Sequence, residues 1–188
     1  MQIRAVLGIL TLLLISIPGA AQRDSVASKP SYFFSLHSGA LVGKKEFGTS
    51  FTWSLIQGVR HKRFAFGIGI GYDTYSDDWR AMPLFASFTY DYLRIRTNSL
   101  YIQLNAGKSK IWNPMLRENE FLYYEHGNIF LNPLLAYRMI GDKFNLYLSA
   151  GYKFQMIEYG WSWGGNGGKT YVGQDTERMV IQMGFGFH

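Results

Sequence analysis

Phe64-Ala65-Phe66-Gly67-Ile68-Gly69-Ile70-Gly71-Tyr72 carries a large apolar residue at every second position and glycine or alanine between them. A strand sends alternate side chains to opposite faces, so one face of this segment is greasy and the other nearly bare. A soluble barrel would hide its apolar face inside and turn a polar face to water. The glycines argue for the reverse: a narrow, crowded interior and an apolar exterior.

The same alternation recurs in eight segments, Tyr32–Val42, Thr49–Arg60, Phe64–Tyr75, Ala81–Tyr92, Ser99–Lys110, Asn128–Met139, Phe144–Ile157 and Glu177–Phe187. Each reaches the ~9–11 residues that a tilted strand needs to cross a bilayer. In the seventh, Phe144, Leu146, Leu148, Ala150, Tyr152, Phe154 and Met156 share a face opposite Asn145, Ser149, Lys153 and Gln155. In the eighth, Met179, Ile181, Met183, Phe185 and Phe187 oppose Arg178, Val180, Gln182, Gly184 and Gly186. Pro83 and Pro133 fall inside the fourth and sixth segments, and a bulge is expected at Pro133 because proline cannot donate to a ladder.

The links alternate in length. Those at Gly43–Gly48, Ser76–Arg80, Ile111–Gly127 and Glu158–Thr176 are the longer set, and those between are tight at His61–Arg63 and Ile140–Lys143 and slightly longer at Leu93–Asn98. Short periplasmic turns and longer external loops mark transmembrane barrels of the outer membrane, and an even strand number returns both termini to the short-turn side.

The N-terminus reads as a cleavable signal peptide over residues 1–21. Arg4 precedes an apolar run from Ala5 to Ile17, and Pro18-Gly19-Ala20-Ala21 supplies the break and the small residues. A short periplasmic segment, 22–30, then leads into the barrel domain, 31–188. The chain has no cysteine, so it offers no disulfide framework, thiolate metal site or acylation site. The net charge of +6 is modest, and an exported chain rarely meets nucleic acid. The fold expected is therefore all-β, an eight-stranded antiparallel up-and-down transmembrane barrel.

The stretches Met82-Pro83-Leu84-Phe85, Phe88-Thr89-Tyr90-Asp91-Tyr92 and Tyr101-Ile102-Gln103-Leu104-Asn105-Ala106-Gly107 add a further signal. So do Asn132-Pro133-Leu134-Leu135-Ala136-Tyr137-Arg138 and Leu146-Tyr147-Leu148-Ser149-Ala150-Gly151-Tyr152. Together they resemble the small outer-membrane β-barrel proteins of Bacteroidetes-type bacteria, akin in architecture to OmpX and the OmpA transmembrane domain. The resemblance implies an outer-membrane location in a Gram-negative cell envelope and dependence on the barrel-insertion machinery. Such barrels commonly end on an aromatic residue; here Phe187 is penultimate, before His188.

No residue set identifies a reaction or a cofactor, and a non-enzymatic role is expected. Gly164 to Thr170 looks like a phosphate-binding loop, but the first glycine that motif needs is Trp163. His37, His61, His126 and His188 are scattered, without metal-ligand spacing. A lipid-modifying hydrolase, acting on lipid A or phospholipid, would draw on His126 and Glu125 but lacks an assigned serine. Inward Asp73, Arg138, Lys153, Arg178 and Gln182 could line a narrow porin-like channel. An eight-stranded barrel is just wide enough for side chains to fill, so they are expected to pair and plug the lumen. A soluble exported barrel that binds a small apolar ligand is the remaining alternative.

Contacts outside the cell would come from Lys44, Lys45, Trp112, Arg117, Trp161, Trp163 and Lys169, toward lipopolysaccharide, other outer-membrane lipids or an extracellular ligand. Lys108 and Lys110 are further candidates for lipopolysaccharide phosphates. Tyr72, Tyr75, Trp79, Trp112, Tyr159 and Trp161 at one end, and Tyr90, Tyr92, Tyr137 and Phe187 at the other, are expected to form interfacial girdles. Arg60, Lys62, Arg63, Arg94, Arg96 and Lys143 gather at the short turns.

Overall fold

A computed structural model describes residues 29–43, 48–75, 79–95, 97–112, 122–141, 143–162 and 169–187. The expected signal peptide lies outside them. The strands are β1 (Ser31–Val42), β2 (Thr49–His61), β3 (Phe64–Thr74), β4 (Arg80–Ile95), β5 (Asn98–Trp112), β6 (Leu122–Ile140), β7 (Asn145–Ser162) and β8 (Lys169–Phe187). Each pairs antiparallel with its chain neighbours, and β1 pairs with β8 from Phe34↔Phe187 to Val42↔Met179, closing the barrel. The expected strand number, order and closure are all present.

The alternation predicts the faces. Phe64, Phe66, Ile68 and Ile70 are exposed, and Ala65, Gly69, Gly71 and Asp73 are buried. Outward Leu84, Leu135, Leu148, Ile181 and Met183 extend the apolar surface around the wall. Buried positions are largely Ser, Thr, Asn, Gln and charged residues. The molecule is thus apolar outside and polar inside, the inverse of a soluble globule.

Glycines make the interior fit. An added Cβ at Gly69 would stand 2.4 Å from Cζ of Phe85, and one at Gly184 would stand 2.6 Å from Nδ1 of His37. Lumen rings therefore lie directly on bare backbone. The tight β2–β3 turn holds Lys62 at φ 54°, the left-handed geometry that suits the twist of a two-residue hairpin.

Three expectations are corrected. β6, β7 and β8 run further toward the loop end than the alternation implies, so Leu122–Gly127, Glu158–Ser162 and Lys169–Thr176 are strand rather than loop. Their backbones pair with one another from Leu122↔Ser162 and Ser162↔Lys169, which gives every such residue a ladder partner even where its side chains are polar. Pro133 causes no bulge. Its register is continuous with β5, and on β7 the ladder passes over Asn132 and Pro133 and resumes in the same register at Leu134↔Gly151. Pro83 behaves alike, paired with Ser109 on β5 but leaving a gap in the β3 ladder. The missing donor points to one neighbour only, so one ladder absorbs it. The β6 irregularity lies instead between Gly127 and Phe130, and a second lies between Asp91 and Leu93 on β4. Tyr75 belongs to no girdle: it is buried inside with Ala81, Ile111 and Ile157.

Candidate functional site

The lumen holds two charged layers separated by packed rings. Toward the loop end, Lys153 Nζ donates to Asp73 Oδ2 across the barrel, from β7 to β3. Thr52 Oγ1 donates to Asp73 Oδ1 at 2.7 Å, and the Lys153 ammonium sits 4.7 Å from the Phe130 ring centroid. Tyr75 donates to Gln155 Oε1, whose Nε2 donates to Ser109 Oγ at 2.6 Å. Arg178 lies 3.9 Å from the Tyr75 ring centroid and donates to Ser50 Oγ at 2.7 Å. Gln182 borders the same interior cavity of about 20 Å³ as Asp73 and Lys153. Of the five expected lumen residues, Asp73, Lys153, Arg178 and Gln182 share this half.

The middle of the lumen is closed by Ile56, Phe85 and Phe130, with Phe33 against them. Phe85 and Phe130 meet edge to face at 5.8 Å between ring centroids. His37, the expected lumen histidine, is buried with its Nε2 3.0 Å from Ser35 Oγ and its ring 5.2 Å from that of Tyr147. A second interior cavity, of about 10 Å³ beside His37 and Gln103, has room for about one water at most.

The second charged layer lies toward the short turns. Arg138, the fifth expected lumen residue, donates through Nη2 to Asp91 Oδ2 at 2.8 Å. Arg94 and Arg60 approach the same oxygen at 3.3 Å and 3.9 Å. Sequence reasoning treats Arg60 and Arg94 as turn charges and gives Asp91 no role. The signal for Asp91 was its place on the inward parity of β4, opposite Phe88, Tyr90 and Tyr92. Arg94 is reached only through the bulge: Leu93 pairs with Leu100, and Arg94 then pairs with inward Ser99. Below this layer opens a cavity of about 360 Å³, lined among others by Arg60, Arg94, Ser99, Arg138 and Tyr147.

Among the expected loop contacts, Lys44, Lys45, Arg117 and Trp163 lie outside the described residues. Trp161 and Lys169 take strand positions in β7 and β8, as Glu125 and His126 do in β6, without described side chains. Trp112 ends β5 on the barrel wall, its ring 6.1 Å from that of Tyr72. Lys108 and Lys110 are exposed wall positions on β5, near exposed Arg80 on β4. Among the described residues no group of three or more His, Asp or Glu could hold a metal.

No family model matches the chain, and neither does any curated protein sequence. Solved structures do match. Neisserial surface protein A shares 13% identity at a TM-score of 0.60, over 85% of this chain and 99% of its own. The outer membrane protein OprG from Pseudomonas aeruginosa shares 11% at 0.61, over 87% and 99%. The outer membrane protein AlkL, solved in lipid bilayers, shares 12% at 0.51, over 84% and 87%. The chain therefore has the fold of these small β-barrels, along nearly the whole length of each.

Proposed function

We propose that this chain is a non-catalytic integral protein of the bacterial outer membrane, of the small-barrel kind found in Bacteroidetes-type bacteria, with a structural or surface-contact role. The observation that carries the reading is the inverted distribution of polarity: apolar side chains cover the wall while charges and amides fill the inside. In water such an exterior would aggregate, whereas in hydrocarbon it is the stable arrangement, because closure leaves no unpaired strand edge along the span. The likeness in fold to proteins of the outer membrane supports the location. The short turns and both termini then face the periplasm, and the longer links face outward.

The closed middle of the lumen supports a filled barrel rather than a solute channel. Outside, Arg80, Lys108 and Lys110 form a basic strip at the loop end of β4 and β5, where lipopolysaccharide phosphates would lie. Fractionation of membranes, followed by electrophoresis with and without boiling, tests the placement. Recovery in the detergent-extracted outer membrane, with a mobility shift on heating, is the expected result. Full recovery in the soluble periplasm would end the proposal.

A further inference from the structure

We propose that the cavity at the short-turn end is a binding site for a phosphate-class oxyanion. Arg60, Arg94 and Arg138 converge there on a single carboxylate oxygen, Asp91 Oδ2. Three guanidinium groups against one carboxylate leave a local excess of two positive charges. The adjoining turns deepen it with Lys62, Arg63 and Lys143; Asp142 in sequence offsets one of these. Among the described residues no second carboxylate faces the group.

Arg138 is 2% exposed, yet its Nε and Nη1 have no hydrogen-bond partner. Beside it on the neighbouring strand, buried Ser99 Oγ also lacks one. Buried donors are normally satisfied, and the orphaned guanidinium N–H groups in this cavity wall outnumber the orphaned acceptor beside them, Asp91 Oδ1, which points to a further acceptor. The cavity of about 360 Å³ opens to the outside at the turn end. Ligand pockets run from ~300 Å³ upward, so a compact head group fits and an extended polymer does not. Planar guanidinium forks match the paired oxygens of phosphate, and a dianion matches the excess charge. Asp91 holds the three arginine tips together while the site is empty. It also competes with the ligand for them.

The phosphate could be soluble or could belong to a lipid head group at the adjacent membrane face. Protein purified from membranes in a nonionic maltoside is titrated calorimetrically with inorganic phosphate at low ionic strength. One saturable site is expected. Arg60→Gln and Arg94→Gln, at partly exposed positions, should each weaken it about tenfold, the loss of one charge-assisted contact. Asp91→Asn should tighten it, because a competing anion is removed; a purely structural ion pair would give no gain. Heat-modifiable mobility verifies that each variant is folded. Repetition in nanodiscs separates the sources. Weaker phosphate binding in phosphatidylglycerol discs than in phosphatidylcholine discs doped with oleate to the same surface charge assigns the site to lipid head groups, and equal binding assigns it to soluble phosphate. Absence of saturable binding, indifference to Arg60→Gln and Arg94→Gln, or equally tight binding of succinate would overturn the proposal.

Discussion

Replacing Lys153 by methionine should cost the barrel about 3–5 kcal/mol, the range for removing one partner of a buried ion pair. The side chains of Lys153 and Asp73 are 6% and 1% exposed, so bulk solvent does not reach the carboxylate that the lost ammonium leaves. Asp73 would retain the Thr52 hydroxyl, at 2.7 Å, and the more distant charge of Arg178. The contact with Phe130 contributes little to the difference. A cation over a ring is worth ~0.5–2 kcal/mol, and a methionine sulfur against the same ring restores ~0.3–1.5 kcal/mol. The loss should therefore be electrostatic, and it should be relieved by neutralising Asp73. In Asp73→Asn/Lys153→Met, stability should recover to within ~2 kcal/mol of wild type, so the coupling should be at least ~1 kcal/mol and larger by whatever Asp73→Asn costs alone. Urea unfolding in phosphatidylcholine vesicles, followed by tryptophan fluorescence, reads all four corners of the cycle. A Lys153→Met loss under ~1 kcal/mol, or two additive single losses, would refute the claim that this pair is a desolvated bridge across the lumen.

Gly69→Leu should drive Phe85 off the β3 backbone and destabilise the same barrel by about 1–3 kcal/mol, as overpacking does, measured by the same urea transition. Gly173→Ala, where an added Cβ would meet only Glu158 Cγ at 3.9 Å, is the comparison and should cost less. The wild-type protein should pass no sustained current in planar bilayers, whereas Phe85→Ala/Phe130→Ala should give measurable conductance by removing the two rings that close the middle. Conductance already present in wild type and unchanged by the pair would contradict a plugged lumen.

The sequence was most legible where one face must be apolar and the other bare or polar. β3, β5 and the turn-side halves of β7 and β8 are read correctly in their faces and to within two residues in their bounds, since a one-residue slip would turn the whole apolar set inward. It was least legible beyond the barrel wall, where β6, β7 and β8 pair with each other without a greasy face to announce them. The lumen was half legible. Asp73, Lys153, Arg138, Arg178 and Gln182 stand on the inward parity. Asp91 and Arg60 stand on it too, but proximity to basic turns masks them as solvated charge. Arg94 could not be found this way, because Tyr92 is the extra residue of a bulge and reverses the parity after it.

The β1–β8 seam also sets an order of events. Every other seam joins strands adjacent in the chain, so its loop is short and cheap to close. This one joins residues near the two ends of the barrel sequence, such as Phe34 and Phe187, and cannot form until β8 has been made and delivered. Until that moment the nascent sheet carries two raw edges, each able to recruit a strand from another molecule. Closure should therefore be the last and slowest step of assembly. In pulse-labelled hydrogen exchange during refolding into vesicles, the amides that β1 and β8 contribute to their shared ladder should gain protection after those of the β3–β4 and β4–β5 hairpins.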